Sequence, residues 1–175
     1  MGNKTQFSLP LIVQCSLFFL PVNIYIIGNW LGVGVQWSLF RYQQTYLGDS
    51  SIVFYKDLFY VLNGTLTGKS MIAAEISFTA TCVIIVATIL LLIANMKYNR
   101  NWEKYSAILT LSSGSLFLLS DAIQYGVFIN GPAGLVIPIG LPAILFAGVL
   151  IYRGDLMVDT YEDEQASGTS EKVDK

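Results

Sequence analysis

Histidine is absent from this 175-residue chain, and charge is scarce, with Asp, Glu, Lys and Arg making up 13% of it. Soluble domains carry about 25% charged residues. Without histidine there is no Ser-His-Asp or Cys-His nucleophile, no His-ligated haem and no common His-containing zinc site. Thiols are nearly absent as well. The two cysteines, Cys15 and Cys82, both fall in apolar runs. If those runs cross a membrane in opposite directions, the thiols lie nearer opposite faces, whereas a disulfide needs Cα atoms within about 7 Å. Both therefore read as small buried hydrophobes. The net charge of -2 leaves no basic footprint for nucleic acid. No metal or other cofactor is expected, and the lack of a dense acidic motif or a surface thiol disfavours an enzyme.

What remains is apolar: 54% of the chain is hydrophobic. Four long apolar segments stand out, at about 8–35, 73–96, 106–128 and 134–152. A spanning helix needs roughly 20 residues. The expected fold is therefore an all-α membrane protein, a four-transmembrane-helix bundle, with a small extracellular antiparallel β-sheet from the first loop, residues 36–72. The first segment is too long for a signal-peptide core and lacks a small-residue cleavage site, so it reads as a retained anchor. Pro21 is expected to kink it, Gln14, Ser16 and Asn23 to mark a face turned toward protein, and Gly28 and Gly32 to offer a GxxxG helix contact. Pro138 and Pro142 in the fourth segment are tolerable where neighbouring helices satisfy the freed carbonyls.

Basic residues give a direction. Lys97, Arg100 and Lys104 lie between the second and third segments, and four spans would put Lys4 and Arg153 on the same side. The positive-inside rule makes that side cytoplasmic. The expectation is a multi-pass protein of the cell membrane with both termini inside and the long loop outside. The sequon Asn63-Gly64-Thr65 then faces out as a glycosylation candidate, while Asn3-Lys4-Thr5 faces in and stays silent. Residues 155–175 are acidic, then Ser/Gly/Thr-containing, and read as a disordered cytoplasmic tail. Tyr161 within it is either a modification or docking site or merely solvated.

The loop is rich in strand formers, Val35–Tyr42 and Ser51–Tyr55, with Gly48-Asp49-Ser50 as the turn between them. Asp57–Leu62 reads as a third strand or a short helix. Trp37, Phe40 and Tyr55 are its candidate binding residues, because aromatics dominate interface hot spots. Equally open is that they anchor the loop at the membrane interface or fill a small core.

The third segment carries a polar face. Ser106, Thr110, Ser113, Ser120 and Gln124 recur at helical spacing, and Asp121 lies beside them. An intramembrane charge costs about 2.5–3.5 kcal/mol on insertion scales, so Asp121 needs protein, water or a proton as partner. Three roles are open: a proton or cation path, docking against a partner subunit, or hydrogen bonding to Ser, Tyr or Asn that holds helices together. Glu75 is either a second carboxylate for that site or a solvated group at the rim. Asp121, Gln124 and Glu75 are the binding candidates on the helices.

This layout resembles the claudin/PMP22-like tetraspans. Tyr55-Lys56-Asp57-Leu58 through Met71-Ile72-Ala73-Ala74 is similar to that family's passage from loop to second helix. Ile108 to Tyr125, with Gly114 before Leu118-Leu119, is similar to its third helix, and Trp37-Ser38-Leu39-Phe40 stands where claudins carry Gly-Leu-Trp and two cysteines. The loop here has no cysteine, and the second outer loop shrinks to about Ile129–Ala133. The resemblance implies a loop sheet over a helix bundle. The functional expectation is a non-enzymatic membrane protein acting in adhesion, barrier formation or membrane organisation, or as an accessory subunit. Its partners would be the lipid bilayer and either copies of itself or other membrane-protein subunits. The alternative is a small transporter or channel component using intramembrane Asp121.

Overall fold

The computed structural model describes residues 9–97 and 100–154. The Asn3-Lys4-Thr5 sequon, Tyr161 and the acidic tail lie outside the described residues. In chain order the elements are α1 (Leu9–Ser16), β1 (Asn23–Ile27), β2 (Gly32–Gln36), β3 (Phe40–Thr45), β4 (Gly48–Val53), α2 (Phe54–Leu62), α3 (Gly68–Lys97), α4 (Arg100–Tyr125), β5 (Asn130–Gly131), β6 (Gly134–Ile137) and α5 (Leu141–Arg153). The strands form one antiparallel sheet in the order β4-β3-β2-β1-β6-β5.

This corrects the expected all-α four-transmembrane-helix bundle. Among the described residues only α3 and α4 are helices long and apolar enough to cross a membrane. The first and fourth apolar segments are each divided between helix and strand. Past α1 the chain tightens into i to i+3 turns, with Leu17 N–H on the Gln14 carbonyl (3.3 Å) and Phe19 N–H on that of Ser16 (3.0 Å). Pro21 cannot donate to a continuing helix. Val22 N–H pairs instead with the Gln36 carbonyl at 2.7 Å, and the β-favouring run Ile24-Tyr25-Ile26-Ile27 follows. Gly28 and Gly32 therefore flank a hairpin and make no helix contact: the turn needs positive φ at Gly28 (51°) and Trp30 (62°).

The fourth segment breaks for a similar reason. Gly134 sits against the Ile26 carbonyl, where a Cβ has no room, and Gly140 sits against the Pro21 carbonyl. Pro142 falls in the first turn of α5, where its missing N–H costs nothing. Within the loop, the strand expected over Val35–Tyr42 is split between β2 and β3. The tight turn falls at Tyr46-Leu47, because Thr45 pairs with Gly48. Asp57–Leu62 belongs to helix α2. The sheet thus recruits β1, β5, β6 and the first part of β2 from outside the stretch that was expected to supply it.

The helices pack through small residues. Ala73, Ala80, Ala87 and Ala94 recur every seventh position on α3 and are buried. Facing them, Ser106, Ser113 and Ser120 recur every seventh position on α4. Each serine hydroxyl donates across the interface to an alanine carbonyl: Ser106 to Ala87 (2.7 Å), Ser113 to Ala80 (2.9 Å) and Ser120 to Ala73 (2.8 Å). Small side chains let the backbones approach, and the bonds hold one antiparallel register. Glycines do the same between α4 and α5: Gly114 lies under Leu145 and Gly148 under Leu111.

Gln14, fully buried on α1, ties three helices together. Its Nε2 donates to Thr88 Oγ1 on α3 (3.3 Å), and its Oε1 lies 3.1 Å from the Thr110 hydroxyl of α4. Leu17, Val22, Ile84, Phe117, Leu141 and Ile144 form the main apolar core, and Leu11, Leu91, Ala107 and Ile151 a second one nearer the α3–α4 turn. Cys15 and Cys82 are free thiols, and Cys15 is exposed on α1 rather than buried as expected.

The register makes a testable claim. Ala80→Leu should destabilise the protein by about 1–3 kcal/mol through overpacking. Ser113→Ala should cost about 0.5–1.5 kcal/mol, the net worth of an intramolecular hydrogen bond. Val86→Leu, on the exposed side of α3, should leave unfolding in mixed micelles unchanged.

Candidate functional site

Strand alternation gives the sheet two chemically different faces. On the face toward the helices β1 places Asn23 and Tyr25, β2 places Gln36, and β3 places Arg41 and Gln43. Register brings these side chains together: Asn23 pairs with Gln36, and Gln36 with Arg41. Gly34 opposes Tyr25, and a Cβ there would strike the Tyr25 ring, so this glycine leaves the space the ring occupies.

Beneath this polar face lies a cavity of about 140 Å³. Tyr25, Gln36 and Arg41 form its roof, Asp57 of α2 one wall, and Ser70, Ser77, Ser120, Asp121, Gln124 and Tyr125 of α3 and α4 its floor. Its volume accommodates several waters or one small molecule.

Asp121 is 5% exposed, and the fully enclosed Asn23 is its hydrogen-bond donor. Asn23 Nδ2 lies 2.9 Å from one carboxylate oxygen and 3.1 Å from the other. The break at Pro21 produces this contact, because it turns the first strand residue onto the last turns of α4. Arg41 Nη2 lies 2.6 Å from Asp57 Oδ1. Burial pushes the Asp57 carboxyl above its usual range, and the Arg41 guanidinium opposes that shift without cancelling it. Around these charges Tyr25 donates to Gln43 Oε1 (3.3 Å) and Gln36 Nε2 to Ser77 Oγ (3.0 Å). Arg41 Nε and Gln124 Oε1, both on cavity-lining residues, are buried with no hydrogen-bond partner in the protein.

Chemically the cavity lining is polar. It offers a carboxylate, a guanidinium–carboxylate pair, two amides and two phenols at close quarters. The one serine adjoining Asp121, Ser120, commits its proton to the Ala73 carbonyl. Among the described residues no group of three or more Cys, Asp or Glu could hold a metal ion. Below Asp121, Phe117, Ile84, Leu141 and Ile144 are buried and pack together as an apolar layer, with the buried Ser113, Thr110 and Gln14 further along the helices.

Of the residues singled out from sequence, Asp121 and Gln124 meet in this cavity. Glu75 does not join them; it is exposed on α3, so the two carboxylates form no shared site. Trp37 and Phe40 stack on each other at 4.6 Å and 16°. Trp37 Nε1 also donates to the Phe19 carbonyl at the end of α1 (3.2 Å), which ties the loop to the helix exit. Tyr55 stands exposed on α2, and Asn63 is exposed at the C-cap of the same helix. Sequence reasoning missed Tyr25, Arg41 and Asp57. The polar alternation Arg41, Gln43, Thr45 was the available signal for an inward polar face.

Two measurements test this geometry. Asn23→Ala and Asp121→Ala should be non-additive in unfolding free energy by about 0.5–3 kcal/mol, as for residues in contact; additive effects would mean the pair does not form. The second concerns pH. Because the folded pKa of Asp57 is raised, its neutral form is favoured on folding. The contribution of Asp57 to stability should then be fully present below the ordinary carboxylate value near 3.8 and be lost as pH rises through the raised one. Asp57→Asn should flatten that decline in a thermal-shift series.

No protein-family model, no curated protein and no solved structure matches the chain.

Proposed function

We propose that this chain is a non-enzymatic integral membrane protein that works by lateral assembly, with copies of itself or as an accessory subunit of a larger membrane complex. The observation that carries this reading is the free face of α2. Tyr55, Phe59 and Leu62 are 57%, 59% and 75% exposed, at spacings of four and three, so they form one apolar stripe. The opposite side of α2 is engaged: Phe54 stacks on Phe78 of α3 at 5.6 Å, and Asp57 holds Arg41. A helix held rigidly on one side with an aromatic stripe free on the other suits helix-face recognition.

The membrane part rests on α3 and α4 and on the apolar residues that the helices turn outward, such as Ile12, Val86, Ile89, Leu118 and Phe146. Lys97, Arg100 and Lys104 lie around the α3–α4 turn, and Gly154, just past Arg153, lies beside the Arg100 guanidinium. The basic end is taken as cytoplasmic by the positive-inside rule. The sheet, α2 and the exposed Asn63 sequon then face out. The apolar plug of Phe117 and Ile84 below Asp121 favours a closed binding site over a conduit.

The test is assembly size in lipid nanodiscs, with mass spectrometry of whatever co-purifies. Tyr55→Ser, Phe59→Ser and Leu62→Ser together should shift the wild-type assembly to a single copy without co-purifying subunits, while thermal stability is kept. A wild-type protein that is already a lone copy, or a triple variant with an unchanged assembly, would overturn the reading.

A further inference from the structure

The outward face of the sheet is apolar where its inward face is polar. Ile24 pairs with Ile137 on one side and Val35 on the other, and Ile26 with Leu135 and Val33. These six side chains form one continuous aliphatic patch over β6, β1 and β2. Ile137 is 48% and Val33 43% exposed. A sheet on a water-soluble protein has the reverse arrangement, with apolar residues toward the core and polar ones toward water. The polarity returns over β3 and β4, where Gln44 neighbours Val33, Asp49 pairs with Gln44 and Ser51 with Tyr42.

Helix length says what covers the patch. α5 has 13 residues, ending at Arg153. At about 1.5 Å per residue it reaches about 20 Å, against about 30 Å of hydrocarbon. About 10 Å is left at the end away from Arg153, and β6 leads directly into that end of α5. Its four residues, at about 3.3 Å each, reach that far. α1 is shorter still among the described residues and leads into β1 in the same way. The exposed apolar Phe19 and Leu20 stand just ahead of β1 in the chain, and Phe146 is exposed on α5.

Backbone polar groups do not forbid this placement. Strand β1 is paired by β2 on one side and β6 on the other, while β6 is paired by β1 and, at Gly134 and Leu135, by β5. Val136 N–H closes onto the Ile129 carbonyl at 3.0 Å. A lipid-facing strand with its ladder satisfied meets the bilayer's main requirement.

We propose that the outward face of β6, β1 and β2 contacts lipid acyl chains, so that strand completes the apolar height that α1 and α5 leave short. The proposal rests on the membrane reading above, and the experiment separates the two. In a Cys15→Ser, Cys82→Ser background, single cysteines at Ile137, Val33, Val86 and Gln44 carry a bimane label in vesicles with doxyl-labelled lipid or aqueous iodide. Ile137→Cys and Val33→Cys should lose fluorescence to doxyl lipid to the same extent as Val86→Cys on α3, and should resist iodide; Gln44→Cys should show the opposite. Iodide quenching at Ile137 and Val33, with lipid quenching retained at Val86, would overturn this inference alone. Protection from both quenchers, with disulfide formation between copies at Ile137→Cys, would assign the face to a second copy and overturn it too. Iodide quenching at Val86 would overturn the membrane reading itself.

Discussion

The seven-residue register between α3 and α4 is the constraint on which the rest depends. Three serine hydroxyls bond to three alanine carbonyls, and the residues at these seventh positions are small. Close backbone approach and interhelical hydrogen bonds hold the two helices at this one register. The same register fixes heights. It sets Ser120 and Asp121 opposite Ala73, and so decides which turn of α4 the sheet must meet.

With α3 and α4 placed, the shorter helices have limited freedom. α5 docks where Gly114 and Gly148 allow leucine side chains to enter, and α1 docks through Gln14, whose amide satisfies hydroxyls on two other helices. Both stop well short of the sheet end of α4. The strands continue from them and bring a row of polar side chains over the end of the α3–α4 pair. The polar cavity arises from that geometry: it is the gap between a sheet turned polar side inward and two helices whose apposed small residues end at Ser120 and Ala73.

Buried charge in this region is matched rather than left alone. Arg41 holds Asp57, and Asn23 holds Asp121. Breaking either pair leaves a desolvated group without its partner, which is costly. The pairs also join elements far apart in sequence, since Asn23 and Asp121 are separated by 98 positions. They therefore serve the positioning of β1 on α4 as well as the polarity of the site. The aromatic residues divide between two tasks. Trp37 and Phe40 are used internally against each other and the α1 exit, whereas Tyr55 is free on α2.

Composition and helical period by themselves determined that α3 and α4 are long apolar helices, that Ser106, Ser113 and Ser120 share a face, and that Asp121 stands as a lone carboxylate in an apolar run. Those properties are local, set by residue type and helical period. Sequence could not decide helix against strand in 8–35 and 134–152, because a continuous apolar run satisfies both periods. Tertiary contact decided it: Val22 and Gly140 surrender helical bonds because Gln36 and Val22 offer carbonyls in a sheet. Nor could sequence bring Arg41, Asp57, Tyr25 and Asp121 to one cavity, since their juxtaposition depends on strand register and on where a hairpin lands upon a helix. The identity of each residue fixed its chemistry, and only long-range pairing fixed its neighbours.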